Sequence, residues 1–113
     1  MMKVTVYQDS EGRVYGFQVS GHAGYGRNGK DIVCSAVSAL TTNTMNAIEA
    51  FVKDPVKYQA VNEAEGFMHY ELSEVSKESG LLLDALVLGL KNIEASYGKY
   101  IQIEFEEDKT CLK

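Results

Sequence analysis

The sequence predicts an α+β fold: a mostly antiparallel sheet packed with two helices, in the order ββαββαβ. Three observations predict it. Five short segments alternate apolar and polar residues with a period of two, two longer segments repeat apolar residues at helical spacing, and turn-forming residues separate them. With 113 residues, the chain falls below the roughly 150 residues typical of one domain, so a single domain over 1–113 is expected. Hydrophobic residues at 45%, charged residues at 24% and one proline suit a packed core rather than a disordered chain.

Met2, Val4 and Val6 alternate with Lys3, Thr5 and Tyr7; Tyr15, Phe17 and Val19 alternate with Val14, Gly16 and Gln18. Asp9-Ser10-Glu11-Gly12 lies between the two runs and makes them a hairpin. From Asp31 to about Val52, Val33, Val37, Leu40, Ala47, Ile48 and Phe51 recur at helical spacing, with Asp31 suited to the N-cap and Asp54-Pro55 to the stop. Lys57 to Glu63 and Phe67 to Ser73 flank a turn at Gly66 and read as a second hairpin, with Met68, Tyr70 and Leu72 on one face. Lys77 to Tyr97 reads as the second helix, and Gly98 is placed to close it in the left-handed conformation. Its Leu81, Leu82, Leu83, Leu86, Val87, Leu88 and Leu90 cover more than one stripe, which predicts burial against the sheet and against either the first helix or a second subunit. Ile101, Ile103 and Phe105 alternate with Gln102, Glu104 and Glu106 in a last strand, and the acidic run to Asp108 reads as a solvated strand face and its end.

A net charge of −5 argues against a nucleic-acid clamp, which requires a basic face, and leaves a basic protein partner open. The N-terminus enters a strand pattern at once, with no signal-peptide character, and Cys34 and Cys111 stand 77 positions apart; both favour reduced thiols in the cytoplasm. The longest apolar stretch, Leu81 to Leu90, contains Asp84 and is about half the ~20 residues that a bilayer demands.

The unusual chemistry is concentrated between Ser20 and Ser35. Four glycines in nine residues, Gly21, Gly24, Gly26 and Gly29, predict a loop running from a strand into a helix N-terminus. Gly24-x-Gly26-x-x-Gly29 matches a dinucleotide fingerprint by letter, and Gly24-x-x-x-x-Gly29-Lys30 matches a phosphate loop. Asp31, however, stands where that loop needs a hydroxyl for magnesium, and the preceding strand belongs to a hairpin rather than a βαβ unit. A zinc site would need ligands beyond His22 and Cys34, and His69 and Cys111 come from unrelated elements. No metal or other cofactor is expected.

His22 and Cys34 can be read as a pair. With Asp31 as N-cap, Cys34 is the third helical residue, where unpaired backbone N–H groups and the helix dipole favour a thiolate. His22, twelve positions earlier, can be carried back to it by the glycine-rich loop and serve as base and then acid. Set against this, a small residue beside Val33 is often a plain core hydrophobe and a His after Gly a loop residue bonded to backbone.

Gly21-His22-Ala23-Gly24, followed by Gly29-Lys30-Asp31-Ile32-Val33-Cys34 and Ala36-Val37-Ser38-Ala39-Leu40, resembles the bacterial ribosomal-processing cysteine protease family Prp. The resemblance implies that Cys34 is the nucleophile and His22 its base, and Asp31 also matches a family position. Ser38, one helical turn after Cys34, is placed to line the same pocket. It further implies a substrate, the N-terminal extension of the twenty-seventh protein of the large ribosomal subunit, cut after an aromatic residue in a short apolar motif. A homodimer and a loop that orders around substrate are implied too. Ser35, where Ala is commoner, and Arg27-Asn28 depart from the family pattern and bear on fine specificity. The leading expectation is therefore a cysteine endopeptidase in which Asp31 caps the helix or orients His22, first-turn N–H groups supply oxyanion donors, and Gly24, Gly26 and Gly29 give a lid its freedom. The competing expectation is a non-catalytic ribosome-assembly factor that holds a ribosomal protein.

Overall fold

A computed structural model of the chain describes residues 1–21 and 28–107, and over 28–31 the backbone alone. Strands β1 (Met2–Gln8) and β2 (Val14–Ser20) are followed by helix α1 (Asn28–Ala47), which runs on into a π-helical turn (Ile48–Val52). Then come β3 (Val56–Asn62), a 3-10 turn (Glu63–Glu65), β4 (Phe67–Leu72), α2 (Lys77–Tyr97) and β5 (Ile101–Glu107). This is the ββαββαβ order that the hydrophobic periods predict. The strands form one sheet in the order β3-β4-β2-β1-β5, antiparallel throughout except for β5, which lies parallel to β1 from Met2↔Ile101 to Gln8↔Glu107.

Alternate strand residues meet the helices in one core. Val4, Val6, Phe17, Tyr70 and Ile101 from the sheet pack with Val33 and Val37 of α1 and with Leu83, Leu86 and Leu90 of α2, all nearly without solvent contact. Fully burying one such aliphatic side chain is worth about 1.5–3 kcal/mol, so the core layer supplies most of what opposes chain entropy. Among the described residues, the sheet's other face carries no helix and is polar and aromatic. There Tyr7 stacks on Tyr15 and His69, and His69 pairs with Glu71 at 2.6 Å.

Four details differ from the sequence reading. Tyr7 pairs with Gly16 but Gln8 with Val14, so β2 carries an extra residue at Tyr15. The bulge turns Val14 into the core and Tyr15 onto the opposite face, away from Phe17 and Val19 with which strict alternation groups it. Phe51, assigned to the buried stripe of the first helix, is 83% exposed, because the turn that carries it is π-helical and no longer keeps the 3.6-residue period. That helix ends as Asp54-Pro55 predicts, through Lys53 in the left-handed conformation at φ 67°. Gly98 follows α2 at φ −57°, in right-handed rather than left-handed geometry, and the backbone continues into a Tyr100 N–H to Tyr97 C=O bond of 2.8 Å. Finally, α1 begins at Asn28, one turn earlier than the N-cap assigned to Asp31.

The start of α2 is tied to the end of the first helix. Ser76 caps α2 by accepting from the Ser79 N–H, and it donates both its own N–H and its hydroxyl to Asp54, each at 2.8 Å. At the other end, the Glu94 carboxylate accepts the Ile103 N–H at 2.9 Å and fixes α2 over β5.

Candidate active site

The first 21 residues bring β2 to Gly21, which holds φ +82°; a Cβ there would be strained in that conformation and would meet the Met1 carbonyl oxygen at 3.1 Å. Here a glycine is required by the backbone itself. Gly21 lies on the wall of a cavity of about 460 Å³, and Cys34 lies on the same wall.

The cavity is built between α1 and one end of the sheet. Along the helix, Cys34, Ser38, Thr42 and Met45 present successive turns to it. Met2, Val19 and Met68, cross-strand neighbours on the helix-facing side of the sheet, form the floor, and Val61, Glu63 and Phe67 come from the tip of the β3–β4 hairpin. Thr41 is fully buried and donates its hydroxyl back to the Val37 carbonyl at 2.8 Å, so the wall behind Ser38 is polar but satisfied. A mostly apolar concavity with a few polar groups and one thiol has the character of a small-molecule or peptide site.

Cys34 is partly buried and is a reduced thiol. Because α1 starts at Asn28, Cys34 is the seventh helical residue rather than the third. It lies beyond the four N–H groups that a helix start leaves unpaired, which corrects the expectation that its sulfur sits in the first turn. Asp31 is correspondingly the fourth helical residue and not the N-cap; it stands three positions before Cys34 on the same helix. Gly29, expected in the loop, is the second residue of α1. Ser38 does share the cavity with Cys34, as the one-turn spacing predicts. His22, Gly24 and Gly26 lie outside the described residues, as does Cys111.

His69, the other histidine, faces the opposite side of the sheet from Met68 and so does not join Cys34. Among the described residues no group of three or more His, Cys, Asp or Glu is arranged to hold a metal ion. No described helix is long and apolar enough to cross a membrane.

Sequence reasoning missed most of the cavity. The α1 wall was legible in principle: Cys34, Ser38, Thr41 and Met45 are spaced by four, three and four, a helical stripe of one thiol, two hydroxyls and a thioether. Met2, Met68 and the hairpin tip carry no local signal, because only strand pairing brings them to Cys34.

The family model described as Cysteine protease Prp matches residues 1–102. The curated Ribosomal processing cysteine protease Prp of Staphylococcus aureus is 28% identical over 109 residues, which covers 94% of this chain and 100% of that protein. A crystal structure of the S. aureus ribosomal processing protease Prp in complex with a substrate peptide superposes with a TM-score of 0.86 at 26% identity. It spans 94% of this chain and 100% of that one. A second, with a covalently linked product peptide, gives 0.84 at 27% identity and the same coverage.

Proposed function

The chain belongs to the cysteine protease Prp family, and from that premise we propose that it is a cysteine endopeptidase, a single domain over 1–113, that removes the N-terminal extension of the twenty-seventh protein of the large ribosomal subunit. The observation that carries this reading is Cys34 in the wall of a mostly apolar, peptide-sized cavity. The covalently linked product peptide in the S. aureus relative supports a covalent route.

In the proposed reaction His22 takes the Cys34 proton as the sulfur attacks the scissile carbonyl carbon. The C–N bond then breaks, and the same proton goes from His22 to the leaving amine. Water, deprotonated by His22, hydrolyses the thioester and returns the free thiol. We assign to Asp31, three positions before Cys34 on α1, the orientation of His22. The N–H groups at the start of α1, three to six residues ahead of Cys34, are the candidate oxyanion donors. The Met- and Phe-lined part of the cavity suits the aromatic residue before the cut. Work in the cytoplasm, where ribosomes mature, and a homodimer complete the reading. Leu81 and Leu88, seven residues apart on α2 and 70% and 63% exposed, give a second copy an apolar stripe to cover.

The test is mass spectrometry of a peptide spanning the extension junction. Wild type cleaves it once, Cys34→Ala does not cleave it, and His22→Ala is slower by roughly 10²–10⁴-fold. Cleavage by Cys34→Ala at the wild-type rate overturns the proposal. Stable binding of the ribosomal protein by wild type without any cut favours the assembly-factor reading instead.

A further inference from the structure

Among the described residues lining the cavity, all but two are apolar, hydroxyl-bearing or glycine; the ionisable ones are Cys34 and Glu63. Glu63 opens the 3-10 turn at the tip of the β3–β4 hairpin. That turn is fixed on both sides. The Asn62 side chain accepts the Glu65 N–H at 3.3 Å, and the Gly66 N–H donates to the Glu63 carbonyl at 3.2 Å. The Glu63 carboxylate takes part in none of the ion pairs among the described residues, whereas Glu71, Glu104 and Glu11 each have a lysine or arginine partner. Among the described residues, therefore, no cation compensates this carboxylate, which shares the rim with Val61 and Phe67 in the cavity whose helical wall carries the thiol.

We propose that Glu63 is a specificity-determining residue: it selects peptides that carry a lysine or arginine within a few residues of the scissile bond. The proposal rests on the protease reading of Cys34. A sphere of 460 Å³ is about 10 Å across, so three or four residues of extended chain, at about 3.3 Å each, reach from the sulfur to the far rim. A bound peptide also displaces water from the rim and strengthens the attraction between Glu63 and a cation above that of a fully solvated pair. Electrostatic pairing at a rim sorts among partners more than it adds affinity, which makes it a selectivity element.

A lysine scan tests this. In an otherwise uncharged junction peptide, a single Lys replaces Gln at each position from the fourth before the cut to the fourth after it. For each position the ratio of kcat/KM, Lys peptide over Gln peptide, is measured. Wild type gives a ratio of about two to five at one position or two neighbouring ones, carried mainly by KM. The ratio falls to about one in Glu63→Gln, is retained in Glu63→Asp, and drops below one in Glu63→Lys, which instead prefers Glu at that position. A flat scan in wild type, or a lysine preference that persists in Glu63→Gln, overturns the role of Glu63 while leaving the protease reading intact. Failure of wild type to cut any peptide in the series overturns the protease reading itself, and the specificity role with it.

Discussion

At the scale of single residues, Asp54 shows how one side chain can join two helices. Its carboxyl is held below the usual carboxylate range by the nearby hydroxyl of Ser79, then by the N–H and hydroxyl of Ser76. The buried Ser79 Oγ makes no hydrogen bond of ordinary geometry, so its influence is that of a close dipole, while the two Ser76 bonds at 2.8 Å are direct. A carboxyl whose folded pKa is depressed contributes stability that is fully present above its unfolded value, near 3.8, and is lost as pH falls through the lower folded value. Stability should therefore decline on acidification from about pH 4 downward. Asp54→Asn should be less stable at neutral pH by about 1–2 kcal/mol and should lose part of that acid slope. Chemical denaturation of both proteins between pH 3 and 7 measures it; parallel curves would show that Asp54 titrates alike in the folded and unfolded chains.

At the scale of elements, two glycines that look alike in sequence are predicted to behave oppositely. A Cβ on Gly16 would collide with the Tyr70 carbonyl oxygen and come within 2.9 Å of the Glu71 Cα, both backbone atoms of the neighbouring β4. Gly16→Ala should cost about 1–3 kcal/mol and lower the melting temperature, since β2 and β4 must part. On α2, a Cβ on Gly89 meets the Leu40 side chain, nearest at Cδ1 at 2.9 Å, a flexible group rather than backbone. Gly89→Ala also removes a helix-interior glycine, a gain of up to about 1 kcal/mol, so its melting temperature should stay level or rise. The same distinction explains what was legible beforehand. Strands and helices that rest on period two or 3.6, such as Met2–Gln8 and Lys77–Tyr97, can be read directly from the chain. The bulge at Tyr15, the π-helical turn that exposes Phe51 and the early start of α1 could not, because each is one residue or one turn out of step with a period that holds on either side. The Cys34–Ser38 pairing was legible because it is local to one helix. Glu63 was not, since a glutamate in a turn reads as solvated until the hairpin is placed.

At the scale of the whole molecule, the cavity belongs to no single element: β1, β2, β3, β4 and α1 all contribute to its walls. Its floor residues Met2 and Val19 are also core residues, so the shape that would receive a peptide exists only when sheet and helix are both in place. A peptide bound there is therefore linked to global unfolding rather than to local opening, and mass action sets the size of the effect. At a free peptide concentration one hundred times its Kd, the folded state gains about 2.7 kcal/mol. At roughly 4 °C per kcal/mol for a chain of this size, the melting temperature of Cys34→Ala should rise by about 10 °C in one sharp transition. The Cys34→Ala protein is used so that the peptide survives the measurement, and a scrambled peptide should leave the melt unmoved. If the junction peptide broadens the transition or shifts only an early, partial phase, binding is coupled to one element alone. The cavity shared between helix and sheet would then not be the place where it binds.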